Sequence, residues 1–191
     1  MTRSITEFVF NGILASAAKR ELEMTGILRV PSMTSQEVQD HDLFAPLSAE
    51  VRGASLHMQR CYKLLFVFEN LLREFISNRF AEIDGVDWFE TRANAAMKAK
   101  MSDRKTKEEK NQWHTGRNAH PIYYLDFGDL SLLITNHWAD FKDFLPAQPW
   151  VQSRLQDAEA TRNVIAHTNV LSIEETDRLE LYLRDFIKQI G

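Results

Sequence analysis

Leu155-Gln-Asp-Ala-Glu-Ala-Thr-Arg-Asn-Val-Ile-Ala-His167 is helical by its spacing. Val151, Leu155, Ala158 and Ile165 recur at intervals of four, three and seven, which sets one apolar stripe against a core or a partner. Arg162 falls in phase with that stripe, seven residues after Leu155 and four after Ala158. A guanidinium there is costly unless it is paired, hydrated in a cleft or reserved for an anionic ligand. Glu159, Asn163 and His167 stand four apart and form a polar row beside it. On an ideal helix Arg162 and His167 lie about 140° apart. They meet within one chain only if the helix ends or loosens near His167, or else across a symmetric pair of chains.

The flanks extend the helical reading. Pro149 suits the first turn of this helix, where a fixed φ and a missing donor are harmless. After His167 a short turn leads to Ser172-Ile-Glu-Glu175, a capping box for a last helix presenting Leu179, Tyr182, Leu183, Phe186, Ile187 and Ile190. Upstream, Pro121–Leu125 reads as a short extended lead-in and Phe127-Gly128-Asp129 opens a helix that ends near Asn136, His137 and Trp138. The longest helix is expected from about Pro46 to Phe80. Its core face would be Leu56, Leu64, Val67, Phe68, Leu71, Phe75 and Ile76, with Gly53 breaking the start. Glu69, Arg73 and Glu74 read as its solvated side, with ordinary helical ion pairing. Asp84-Gly85 is a turn, and Asp87 can cap a helix from Trp88 to about Met101. Residues 4–24 read as a first helix and 31–46 as a connector in which His41 and Asp42 are a polar loop pair.

Composition sets the outer limits. A chain of 191 residues suits one domain and can bury roughly 70% of its unfolded surface. The expected organisation is a single domain, with residues 1–45 an N-terminal helix and connector and 46–191 a helical core. A net charge of −4 argues against a protein that coats nucleic acid by bulk charge, while leaving room for a local basic patch. The lone Cys61 sits amid apolar neighbours, where a buried inert thiol is expected, and it makes no internal disulfide. No Cys/His cluster has zinc spacing, no phosphate or dinucleotide loop appears, and no cofactor is implied. Leu64–Phe68 is too short to span a bilayer and no secretory leader is apparent, so a cytoplasmic protein without membrane contact is expected.

Arg162-Asn163 followed by His167 resembles the Arg-x4–6-His motif of the HEPN superfamily. The spacing alone is a weak signal, since Arg52 and His57 repeat it. The later copy is singled out by Asn directly after Arg, by its helix near the C-terminus and by the capped helix that follows. Asp126-Phe-Gly-Asp-Leu and Asn136-His-Trp also resemble prokaryotic HEPN sequences, so the likeness covers about residues 120–191. It implies an all-α HEPN-like bundle of four to five core helices with an extra N-terminal helix, expected to form a homodimer. It further implies a metal-independent endoribonuclease of toxin–antitoxin or phage-defence type, its site built at a dimer interface from two copies of the motif.

In that reading His167 moves the proton, Arg162 stabilises the crowded phosphate, and Asn163 orients either group. Glu159 holds Arg162 or the imidazole. The basic stretch of about residues 98–120 has seven Lys/Arg against three Asp/Glu from Lys98 to Arg117. Lys105, Lys107, Lys110, Trp113 and Arg117 could track an RNA backbone and stack a base. The alternative is a solvated helix end followed by a mobile loop. Another alternative is a non-catalytic HEPN module that binds a nucleotidyltransferase-like antitoxin or another effector protein. A third is a metal enzyme using Asp126, Asp129 or His137.

Overall fold

The protein is described by a computed structural model covering residues 43–111 and 113–190, with Ala18. The helix expected over 4–24, the pair His41/Asp42 and most of the connector lie outside the described residues. The chain divides into two compact units, Met1–Ser48 and Ala49–Gly191. In the first, the described residues make a helical turn closed by the Leu47 amide donating to the Phe44 carbonyl (2.9 Å).

The second unit is all-helical among its described residues. It comprises α1 (Ala49–Asp84), α2 (Trp88–Arg92), α3 (Ala95–Glu109), a 3₁₀ turn (Pro121–Tyr124), α4 (Phe127–Asn136), α5 (Trp138–Phe141), α6 (Gln148–Ala166) and α7 (Ile173–Ile190). No described helix is long and apolar enough to cross a membrane.

Helix α1 is the axis. Its 36 residues span about 54 Å at 1.5 Å each, and Cys61, Leu65, Phe68, Leu72, Ile76 and Phe80 fall on one side and are buried. Around that row the aromatic rings lock the other helices. Phe68 meets Phe127 of α4 edge-on at 5.5 Å and Phe186 of α7 at 5.2 Å, while Phe80 meets Trp88 at 5.0 Å and Phe141 at 5.2 Å. Val151, Leu155 and Ala158 of α6, which packs against both α4 and α1, complete the core.

Several expectations need correcting. Helix α1 runs unbroken through Gly53, so one glycine does not interrupt a helix supported on both sides. Leu56 and Val67 are exposed rather than packed, because the buried row narrows to the residues nearest α4 and α7. Glu69 and Arg73 are not a solvated face. Their ion pair (2.6 Å) leaves the two side chains only 17% and 12% exposed, and Arg73 also donates to the Leu125 carbonyl at 3.4 Å. The helix expected over 88–101 is two helices. Ala93 turns extended (ψ 134°), and Asn94 caps α3 by accepting from the Met97 amide at 2.9 Å. Asp87 occupies the cap position of α2 but makes no side-chain capping bond. Residues 121–124 form a 3₁₀ turn, not an extended lead-in, with the His120 ring accepting from the Ile122 amide.

Other local signals act as read. Gly85 takes φ +82°, a conformation open to glycine, at the end of α1. Pro149 lies in the first turn of α6. The Ser172–Glu175 box is made in both directions, at 3.1 and 2.9 Å.

Candidate functional site

Helix α6 is fully buried along its stripe as far as Ala158, with Ile165 half-buried against the core further on, and between them the surroundings change. The next position in phase, Arg162, meets not the apolar core but a small cleft of about 200 Å³ lined by Arg104, Asp126, Phe127, Glu159, Arg162 and Asn163. The guanidinium on an apolar stripe is therefore accommodated by a polar opening between α3, α4 and α6.

The far wall of the cleft is strongly tied. Asp126 opens α4 and shares a capping box with Asp129, whose carboxylate accepts from the Asp126 amide at 2.9 Å. Arg104 grips the Asp126 carboxylate with two nitrogens (2.8 and 2.9 Å) and donates to the Tyr124 carbonyl at 2.6 Å. Lys100, one turn earlier on α3, reaches Asp126 at 3.1 Å and Asp129 at 2.5 Å. Desolvation pushes the Asp126 carboxyl up, but the bonds from Arg104 and Lys100 outweigh it and hold the group below its usual range. For Lys100, desolvation acts to lower the ammonium and the two aspartates more than reverse it.

Arg162 is tied far less. Its one hydrogen bond among the described residues is to the Asn163 side-chain oxygen at 3.4 Å, and it has no carboxylate partner there. Most other described arginines, among them Arg60, Arg73, Arg92, Arg104 and Arg154, are in ion pairs. Glu159 lies only one turn away but faces elsewhere. Its carboxylate sits over Gly128, so close that a Cβ on that glycine would stand 2.8 Å from Oε1. A missing side chain at Gly128 thus lets Glu159 rest on the first turn of α4 instead of neutralising Arg162.

His167 lies outside this cleft. It is the C-cap of α6, still in helical register because its amide donates to the Asn163 carbonyl at 3.1 Å. The helix stops here. The Thr168 amide donates to Ile165 and the Asn169 amide to Val164, a Schellman closure with Thr168 at φ 60° where glycine is usual. The imidazole is exposed and makes no hydrogen bond to a described residue. Glu159, Arg162 and Asn163 are therefore brought together and His167 is set apart from them.

The basic segment divides likewise. Lys105, Lys107 and Lys110 are exposed, with no ion pair among the described residues. Arg117 is committed, since it pairs with Glu108, which also accepts from the Arg117 amide and the Tyr124 hydroxyl. Trp113 is 81% exposed and stacks on His114 with centroids 3.7 Å apart.

The earlier Arg-x4-His spacing leads to a different place. The His57 ring contacts the Leu171 carbonyl at 3.0 Å beside buried Cys61 and Thr176, whose Sγ and Oγ1 are 3.2 Å apart. His137 lies between Arg92 and Phe80, its Nδ1 3.3 Å from the Arg92 guanidinium and Nε2 3.2 Å from the Arg92 carbonyl. Among the described residues no group of three or more His, Cys, Asp or Glu is placed to hold a metal ion. The residues that sequence reading missed are Lys100 and Arg104. Their spacing of four on one helix face, pointing at an Asp-x-x-Asp capping box, was the available signal.

Comparison with curated proteins and with solved structures returned no match. The profile of the Swt1-like HEPN family matches residues 63–191, which takes in α6, the cleft and Arg162 through His167. With well over half of its length matched, this chain belongs to the Swt1-like HEPN family.

Proposed function

We propose that the protein is a metal-independent endoribonuclease of HEPN type, acting in a toxin–antitoxin or phage-defence setting. The observation that carries this reading is Arg162. It is a guanidinium without a carboxylate partner among the described residues, in an open polar cleft, five residues before an exposed imidazole. Cutting RNA without a metal requires removal of the 2′-OH proton, in-line attack of that oxygen on the adjacent phosphorus, and departure of the 5′ oxygen with a proton. The products are a 2′,3′-cyclic phosphate and a 5′-OH. His167 carries the proton traffic, worth roughly 10²–10⁴ in rate. Arg162 offers a planar fork to the charge growing on the phosphate oxygens, and Asn163 steadies that fork. Because Arg162 and His167 diverge around α6, the complete site takes one group from each of two copies. The test is incubation of the purified protein with total RNA and a chelator, beside Arg162→Ala and His167→Ala. Chelator-resistant cleavage lost in both variants supports the nuclease; equal cleavage by all three overturns it.

The same divergence favours a second reading. If no second copy completes the site, the cleft and the exposed Val170 and Ile173 beyond His167 serve a non-catalytic module that docks an antitoxin-like nucleotidyltransferase or another effector protein. Intact RNA together with tight binding of such a protein supports that reading.

A further inference from the structure

Three clefts on one side of the helical unit share walls. The Arg162 cleft shares Arg104 with a cleft of about 300 Å³ at the end of α3, lined by Lys107, Asn111, His114 and Arg117. It shares Asp126 and Glu159 with a third, of about 540 Å³, bounded by Gln152 and Gln156. They adjoin in a row as one interrupted groove: Arg104 of α3 divides the first two clefts, and the third continues from the Arg162 cleft between α4 and α6. Lys100, Arg104 and Lys107 stand at intervals of four and three, so they form one stripe of that helix, about 10 Å long, with Asn111 just past its C-cap. Arg104 and Lys100 are held by Asp126 and Asp129, whereas Lys107 and Arg162 have no ion pair among the described residues. His114, in the lining of the cleft at the end of α3, carries Trp113 stacked on its ring and 81% exposed.

We infer that this groove is a track for single-stranded RNA, with Arg162 at the phosphate to be cut and Trp113–His114 as a platform for an unpaired base some nucleotides away. The inference rests on the nuclease reading of Arg162 and adds the side chains of this chain along which the strand lies. The two uncommitted cations mark two places for backbone phosphates. Arg104, rigid on Asp126, forms the wall between them. An indole pre-stacked on an imidazole loses little freedom when a base lands on it, and any base with a free π face will serve. A duplex keeps its bases stacked on each other and offers the platform none along its length. Lys105 stands off this stripe, and Arg117 is occupied by Glu108, so of the basic segment Lys107 and Trp113 carry the contact.

The test uses the full chain and a 2′-O-methyl oligouridylate, which cannot be cleaved, against the same length as a duplex. Binding is read by the fluorescence anisotropy of a labelled oligonucleotide and by salt titration. Trp113→Ala is expected to weaken single-strand binding about tenfold while Trp113→Phe keeps most of it. Lys107→Gln should lower the salt slope by about one. Single-strand binding unchanged in both Trp113→Ala and Lys107→Gln overturns the track, as does a duplex that binds equally well and with the same Trp113 dependence. The two readings fail separately. Arg162-dependent cleavage with Trp113-independent binding removes the track and leaves the nuclease. Trp113-dependent binding without cleavage removes the nuclease and leaves a single-strand binding groove.

Discussion

Arg162 and His167 stand on one helix, five residues apart and about 140° apart around its axis, and the cleft that holds the first does not include the second. A site built from both within one chain would need a different helix end. A site built across two copies predicts complementation. Arg162→Ala and His167→Ala, each inactive alone, should regain activity when mixed and allowed to exchange subunits. Heterodimers then hold one intact site, and an equal mixture is expected to reach about a quarter of wild-type cleavage. No recovery after demonstrated exchange would place both groups in the same chain's site.

Gly128 keeps Glu159 off Arg162. Adding a Cβ at Gly128 forces the carboxylate to move, and that group is the free end of a flexible side chain. The loss of this contact is offset by the helix preference of alanine over glycine, roughly 0.5–1 kcal/mol. Gly128→Ala is therefore expected to leave the melting temperature nearly unchanged. RNA cleavage should fall as Glu159 swings toward Arg162, and Gly128→Ala combined with Glu159→Gln should restore it. Full activity in Gly128→Ala alone would show that Glu159 has another resting place.

Acid should weaken the helical unit in two stages. Burial lowers the pKa of His120 below its ordinary value near 6.5, so its contribution is complete above that pH and is lost as pH falls through the folded value. The Asp126 carboxyl, also held low, contributes fully above about pH 4 and loses that contribution as pH falls further. Melting temperature against pH should show both steps. His120→Asn, which keeps a capping acceptor, should remove the upper one. Asp126→Asn should reduce the lower one, which Glu108 and Glu180 share, and cost about 1 kcal/mol at neutral pH.

Thr176 is the buried polar residue at the head of α7. Its hydroxyl donates to the Ser172 carbonyl at 2.9 Å and lies near Cys61 and His57. Thr176→Val is expected to destabilise by about 1–2 kcal/mol in urea unfolding. Cys61 has no exposed surface and should resist alkylation by N-ethylmaleimide until the protein unfolds. Rapid labelling of the native protein would mean that α1 and α7 part readily.

How much was legible beforehand depended on the range of the interaction. The signals that worked act over three or four residues, namely the Ser172–Glu175 box, Pro149 and the stripe of Val151, Leu155 and Ala158. The divergence of Arg162 and His167 followed from helix pitch alone. What stayed hidden lies between elements. The ion pairs from Lys100 and Arg104 to Asp126 join residues more than twenty positions apart, and only the packing of α3 beside α4 makes them meet. The break at Ala93 was missed because an alanine-rich run shows no period to interrupt. Leu56 and Val67 misled because an apolar residue on a helix does not say which neighbour, if any, will cover it.

Thr168 holds a left-handed backbone with a branched side chain, a posture worth about 1–2 kcal/mol of stored tension directly after His167. The closing turn of α6 thus holds its two backbone hydrogen bonds against that tension. Any contact that lets Thr168 relax recovers the tension and re-aims the backbone that carries the exposed imidazole.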